Sequence, residues 1–233
     1  MNSTPTALIT GATQGLGLAL ASELDRRGWQ LVLTGRDAGR ITALRGQISS
    51  ATVVPGDVTD PGHRRTLAAV VDRIGRLDLL VNNASALGPS PLPHLADHPI
   101  DELRLVVETN LIAPLALTRL LLPHLRSADG TVLNISSDAA VEAYEGWGGY
   151  GSAKAALDHA SAVLAVEEPA LHVYAVDPGD LRTEMHQRAF PGEDISDRPL
   201  PSTVVPDLLR LLDVRPPSGR YRAIEWARAE AAR

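Results

Sequence analysis

The strongest constraint on this chain is a rhythm. Short apolar runs recur along it, and the stretches between them carry helical periodicity. "ALIT" (7–10), "QLVLT" (30–34), "ATVVPGD" (51–57), "LDLLVNNA" (77–84), "GTVLNISS" (130–137), "LHVYAVDPG" (171–179) and "GRYRAIEW" (219–226) read as strands. Helices are expected from about Leu16 to Arg27, over 65–75, from about Pro99 to Arg126 with a kink at Pro114, from Tyr150 to Glu167 and over 203–213. Pro191, Pro199, Pro201 and Pro206 make 185–206 a loop or a broken helix. Strands that are apolar throughout and separated by helices imply a parallel sheet covered on both faces. With right-handed crossovers, the expected fold is a doubly wound α/β sheet of about seven strands. At 233 residues the chain suits one domain, 1–233.

Composition removes several function classes. Cysteine is absent, which excludes disulfides, thiolate nucleophiles and zinc–cysteine sites. A net charge of −6 and 3% aromatics argue against a nucleic-acid surface. No apolar run of membrane-spanning length and no signal peptide is read, so a cytoplasmic protein without a membrane partner is expected. Among seven histidines only His94 and His98 stand four apart, in a proline-flanked segment, and no metal site is expected.

In a doubly wound sheet ligands bind beyond the carboxyl ends of the strands, and the motifs fall there. "TGATQGLG" (10–17) joins the first strand to the first helix. Its glycines, Gly11, Gly15 and Gly17, permit a tight turn, and the helix N-terminus favours a phosphate. This is a Rossmann-type arrangement for a dinucleotide. About 20 residues on, where an acidic residue would accept the 2′-hydroxyl of NAD(H), the second strand ends in Thr34-Gly35-Arg36. An arginine there pairs with a 2′-phosphate, so NADP(H) is favoured over NAD(H).

The reacting group is expected in "YGSAK" (150–154). Lys154 is the only lysine among 22 basic residues, and it lies one helical turn from Tyr150. Ser137 ends the fifth strand. Asn110 sits inside a helix, where asparagine is unfavourable unless its amide is used. The order "TGATQGLG", "DV" (57–58), "NNAS" (82–85), Asn110, "ISS" (135–137), "YGSAK" and "PGDLRT" (178–183) resembles the short-chain dehydrogenase/reductase family, in its single-domain form with Tyr-x-x-x-Lys. The resemblance implies hydride transfer between a nicotinamide and a carbonyl or secondary alcohol. Tyr150 would be the general acid and base. Lys154 would lower its pKa and hold the nicotinamide ribose. Ser137 would orient the substrate oxygen, and Asn110 would hold a water of the proton relay. Thr13, Gln14 and Leu16 would line the phosphate turn with the three glycines. Asp57 and Val58 would hold the adenine, Asn83 and Ala84 would follow the adenosine ribose, and Pro178, Gly179, Leu181 and Thr183 would meet the nicotinamide end. One departure is Ser85, where the family usually has glycine. Another is the acidic pair Asp177 and Asp180 around the Pro-Gly turn.

Tyr144, Trp147, Met185, His186 and Phe190 bracket these motifs as pocket or packing residues. Residues 184–206 would form a substrate lid, and the helices around 99–126 and 150–167 would pack a homodimer or homotetramer. The rival readings are imine or enoyl reduction on the same fold, and a dinucleotide sensor without turnover.

Overall fold

A computed structural model describes residues 4–231. At its centre lie β1 (Thr6–Ile9), β2 (Gln30–Gly35), β3 (Thr52–Pro55), β4 (Leu79–Asn82), β5 (Thr131–Ile135), β6 (His172–Asp177) and β7 (Gly219–Arg222). They form one seven-stranded sheet in the order β3-β2-β1-β4-β5-β6-β7, and every neighbouring pair is parallel. The helices are α1 (Gly15–Arg26), α2 (Ala38–Gln47), α3 (Pro61–Ile74), α4 (Ile100–Val107), α5 (Ala113–Ser127), α6 (Gly148–Glu167), α7 (Glu184–Ala189), α8 (Val205–Val214) and α9 (Ala223–Ala231).

Strand alternation sorts the core into two layers. Ala7, Ile9, Leu31, Leu33, Leu79 and Val81 face one side, against Leu16, Leu20 and Leu24 of α1 and Leu208 of α8. Leu8, Val32, Leu80 and Val132 face the other, against Leu67 and Val71 of α3 and Leu117, Leu121 and Leu125 of α5. A buried polar chain crosses this second layer. Asn82 Nδ2 donates to Asn134 Oδ1 at 2.8 Å and to Thr118 Oγ1 at 3.2 Å, and Asn134 Nδ2 donates to Ser161 Oγ at 2.8 Å. From β1 the chain winds outward through β2 and β3, then returns to β4 on the other side of β1. That reversal leaves a crevice at the carboxyl ends of β1 and β4.

Four features differ from the sequence expectation. Helix α2 was not anticipated, because it buries only Ile41 and Leu44 and so carries a weak apolar stripe. The last strand stops at Arg222, not Trp226: its partner β6 ends at Asp177, opposite Arg222, so further residues have no ladder to join and turn into α9. The irregularity near Pro114 lies just before it, as a π-helical segment over Glu108–Ile112 between α4 and α5. Finally, the run Ile100–Ser127 is long and apolar enough to cross a membrane by length and composition, which corrects the expectation that no such stretch exists, although 44% of its most apolar window is buried inside the fold.

Helix α1 sits hard against the turn that precedes it. A Cβ on Gly17 would lie 2.4 Å from the Gly11 carbonyl oxygen and 2.5 Å from Asn83 Nδ2. One of these contacts is backbone, so it cannot swing aside. Gly17→Ala should therefore cost about 1–3 kcal/mol as an overpacking change. Urea unfolding should show a lower midpoint at unchanged slope, and an unchanged midpoint would refute this account of α1 docking.

Candidate active site

The crevice opens into a cleft of about 1330 Å³ that runs from the start of α1 to the start of α7. At its first end, Gly11 has φ +64°, and a Cβ there would come within 2.9 Å of the Ala84 backbone. The turn is clamped to β4. The Thr10 hydroxyl accepts from the N–H groups of Asn83 and Ala84, both at 3.0 Å, and Asn83 Nδ2 donates to the Thr10 and Gly11 carbonyls at 2.9 and 3.1 Å. The Asn83 amide thus braces the turn, and Asn83 and Ala84 line the cleft. No side chain caps α1, so its first N–H groups are available to an anion. Thr13, Gln14, Gly15 and Leu16 line this part of the cleft.

Farther along lie Arg36, Asp57 and Val58. Asp37 also lines this part of the cleft, and its carboxylate caps α2, accepting from the Arg40 N–H at 2.7 Å. Arg36 Nη1 is 3.3 Å from Asp57 Oδ2, and Arg40 Nη2 donates to Glu184 Oε2 of α7 at 2.7 Å. Burial works to raise the Asp57 carboxyl, but the Thr59 N–H and hydroxyl and the Arg36 guanidinium outweigh it and hold it below the usual carboxylate range. Two arginines thus stand at the close of β2, each beside a carboxylate from another element.

At the other end, α6 lays Tyr150 and Lys154 across the carboxyl end of β5. Lys154 is 1% exposed, and its Nζ donates to the Ile135 carbonyl at 2.7 Å. That Nζ also lies 5.6 Å from the Tyr150 ring centroid. The Ser137 hydroxyl donates to Asp138 Oδ1 at 3.0 Å, and its carbonyl accepts from Arg220 Nη2 of β7 at 2.9 Å. Pro178, Gly179, Leu181 and Thr183 follow β6 along the cleft. There the buried Asp177 accepts from the Gly179 N–H at 2.9 Å, and Thr183 caps α7. Asp180 also lines the cleft, half-exposed.

Asn110 is buried in the π-helical segment. Its side chain bonds the loop after β4: Oδ1 accepts from the Ser85 hydroxyl at 2.8 Å and the Ala86 N–H at 3.0 Å, and Nδ2 donates to the Ala86 carbonyl at 2.7 Å. Pro114 has no N–H, so the Asn110 main-chain carbonyl has no i+4 donor. Trp147, Met185 and Phe190 line the cleft and pack against the small cluster of Leu87, Ala139, Tyr150 and Ala189, with the Trp147 ring edge-on to Tyr150 at 5.6 Å between centroids. His186 stacks on Phe190, and the Tyr144 hydroxyl donates to Asp138 Oδ2 at 3.0 Å.

The short chain dehydrogenase family model matches residues 5–194. The chain belongs to the short-chain dehydrogenase family. It is 39% identical over 184 residues to the serine 3-dehydrogenase of Rhizobium radiobacter, covering 77% of this chain and 73% of that one. Against the L-fucose dehydrogenase of Rattus norvegicus the identity is 31% over 183 residues, covering 77% and 67%. Among solved structures it superposes on a short chain dehydrogenase from Salmonella enterica serovar Typhi with TM-score 0.88 at 28% identity, covering 95% and 96% of the two chains. A Shigella flexneri short chain dehydrogenase solved with NADP gives TM-score 0.86 at 28% identity, covering 94% and 96%. This protein is thus an NAD(P)-dependent oxidoreductase acting on a small molecule.

In this short-chain dehydrogenase the two groups of the Tyr-x-x-x-Lys motif are both pushed toward neutrality. Burial drives the Tyr150 phenol well above its usual value; the Ser85 and Ser137 hydroxyls pull it back, and Asp138 and Asp177 add to the rise. Any lowering of Tyr150 by Lys154 works against that larger burial effect. Burial also pulls Lys154 down to about 8, against the opposing charge of Asp158. Sequence reasoning missed Thr10, Arg40, Asp138 and Arg220 as parts of the site. Arg40 was findable, four residues after Arg36; Arg220 was not, since only the sheet order brings β7 to the end of β5.

A lowered Lys154 is an ammonium below about pH 8 and loses its charge as the pH rises through that value. An anionic cofactor favours the charged form, so NADPH affinity should fall from about pH 7 to about pH 9. Fluorescence titration should show this fall in the wild type and a flat profile in Lys154→Met. An equally steep fall in the variant would remove Lys154 from cofactor binding.

Proposed function

We propose that this enzyme is an NADP(H)-dependent reductase of a carbonyl group, running in reverse as a secondary-alcohol dehydrogenase. The observation that carries the reading is the meeting of Ser137, Tyr150 and the buried Lys154 at the end of β5, in the same cleft as the glycine turn. Bound NADPH supplies the hydride. Ser137 holds the substrate oxygen, and Tyr150 gives it a proton in reduction or takes one in oxidation. Lys154 carries the positive charge beside the phenol and holds the nicotinamide ribose, and the main-chain carbonyl of Asn110 holds the relay water. Helix α7 and the chain to about residue 206 act as the lid, with Trp147, Met185 and Phe190 as its apolar contact to the substrate. The names of the relatives add serine, a primary alcohol, and sugars such as L-fucose to the secondary alcohols to try first.

Preference for NADP(H) is supported by Arg36 and Arg40 at the close of β2 and by the diversion of Asp37 to the α2 cap. In a spectrophotometric screen with NADPH and NADH, Tyr150→Phe should lower turnover by about 10²- to 10⁴-fold. Arg36→Ala should cost NADPH affinity roughly 10- to 100-fold while sparing NADH, the scale of a hydrogen bond to a charged group. Near-normal turnover in the first variant, or an unchanged cofactor preference in the second, would sink the corresponding assignment.

Leu105 of α4, Ile112, Leu115 and Leu120 of α5 and its approach, and Val163 and Val166 of α6 expose apolar side chains on the expected packing helices. We assign them to contact with further copies of the chain, as a dimer or tetramer. Light scattering should then give a multiple of the chain mass, and Leu115→Glu with Val166→Glu should reduce it to the monomer. A monomeric wild type would reject the assignment.

A further inference from the structure

Ser85 is the one place in "NNAS" where the chain departs from the family's usual residue, and its hydroxyl stands between two parts of the site. It donates to Asn110 Oδ1 at 2.8 Å. Ser85 also bears on the Tyr150 phenol, pulling it down against burial as the Ser137 hydroxyl does, and lines the cleft with both. The bond to Asn110 is not needed to hold that amide. Ala86 already grips it at both ends, giving its N–H to Oδ1 at 3.0 Å and accepting from Nδ2 at 2.7 Å. A hydroxyl rotates at little cost, so the Ser85 proton can leave Asn110 without freeing it.

We propose that Ser85 is a further catalytic residue whose hydroxyl turns between Asn110 Oδ1 and the Tyr150 oxygen. The inference rests on the acid–base role given to Tyr150 above. In reduction, hydride adds to the carbonyl carbon, the Tyr150 O–H bond breaks, and its proton forms the new O–H bond of the alcohol, leaving a phenolate. The Ser85 O–H then swings from Asn110 to that phenolate. Ser85 gives up no proton, so the step balances without a further acid. Once the relay restores the phenol, the hydroxyl returns to Asn110. A glycine at this position would leave the phenolate with one serine donor in place of two.

The test is the single-turnover rate of alcohol oxidation with NADP⁺ against pH, by stopped-flow, on a substrate the wild type turns over. Oxidation needs the phenolate, so the rate rises with pH to a plateau. In Ser85→Ala and Ser85→Gly the rising limb should move to higher pH. The rate below the limb should fall about threefold to tenfold, with the plateau kept. Ser85→Thr, which keeps the hydroxyl, should retain the wild-type limb, and NADPH affinity should be unchanged in all three. The other titratable groups around Tyr150 are Lys154 on its own helix, Asp138 after β5, Asp177 at the end of β6, His98 against Gly149, and His186 on α7. All are present in every variant, so their titration is common to the profiles compared. A loss equal at all pH values, an unmoved limb, or weakened NADPH binding with an unmoved limb would overturn the proposal. Tyr150→Phe in the same assay separates the two levels. If it is inactive while Ser85→Ala matches wild type, only the Ser85 role fails; if it is active, the acid–base reading itself fails.

Discussion

Beyond the last rung of each ladder, the strand ends have no neighbouring strand to bond, and side chains bond them instead. Thr10 and Asn83 tie the glycine turn to β4. Lys154 takes the Ile135 carbonyl at the end of β5, and Arg220 takes the Ser137 carbonyl just past it. Asp177 takes the Gly179 N–H at the end of β6. Buried backbone polar groups must be paired, and here the pairing fixes the geometry of the site as a consequence. The groups that stabilise the strand ends are the groups, or direct neighbours of the groups, given chemical work. Preorganisation of the cleft is therefore part of the folding free energy.

Charge is distributed along the cleft in the same economical way. At the nucleotide end, arginines are held by acids that a phosphate can replace: Arg36 by Asp57 and Arg40 by Glu184. Both pairs are largely exposed, so each contributes little on its own and exchanges readily. Because Glu184 opens α7, the Arg40 pair also links the nucleotide end of the cleft to the lid segment. At the reacting end the carboxylates are largely buried, and the compensation is different. Arg220 bonds Asp158 at 2.8 Å and stands 3.9 Å from Asp177, while Arg222 is 3.3 Å from Asp177. Burial still leaves the Asp177 carboxyl raised, its bond to Gly179 and these two arginines notwithstanding.

Much of this was legible in the sequence because the relevant signals are local. Apolar runs locate strands, a glycine turn after the first strand locates one end of the cleft, and a four-residue spacing puts Tyr150 and Lys154 on one helix. What was not legible depends on contacts set by the sheet order. Arg220 lies 83 residues from Ser137 in the chain, and nothing in "GRYR" announces that β7 pairs with β6. Helix α2 was missed because its stripe is two residues wide. Ser85 was legible as a departure from the family pattern, but its geometry came only with the fold, since its partner Asn110 is on another element. The amide of Asn110 is indeed used, as its awkward helical position implied, on the loop after β4.

The lone lysine follows from burial. An arginine at 154 would bring five N–H donors on a rigid plane into a space where the Ile135 carbonyl receives the lysine, and it would keep its charge at every accessible pH. A compact ammonium needs fewer acceptors and can lose its proton, as a value near 8 allows. Burial acts on Tyr150 in the opposite numerical direction but to the same end, favouring the neutral phenol. Before any ligand is bound, the low-dielectric pocket thus sets Tyr150 in the form that donates a proton. On the proposed acid–base reading, the phenolate of the reverse reaction must be stabilised by what surrounds it: the Ser85 and Ser137 hydroxyls, and the ammonium near the ring. This accounts for a site so rich in short donors, since each one offsets part of the desolvation that the buried tyrosine would otherwise impose on its charged form.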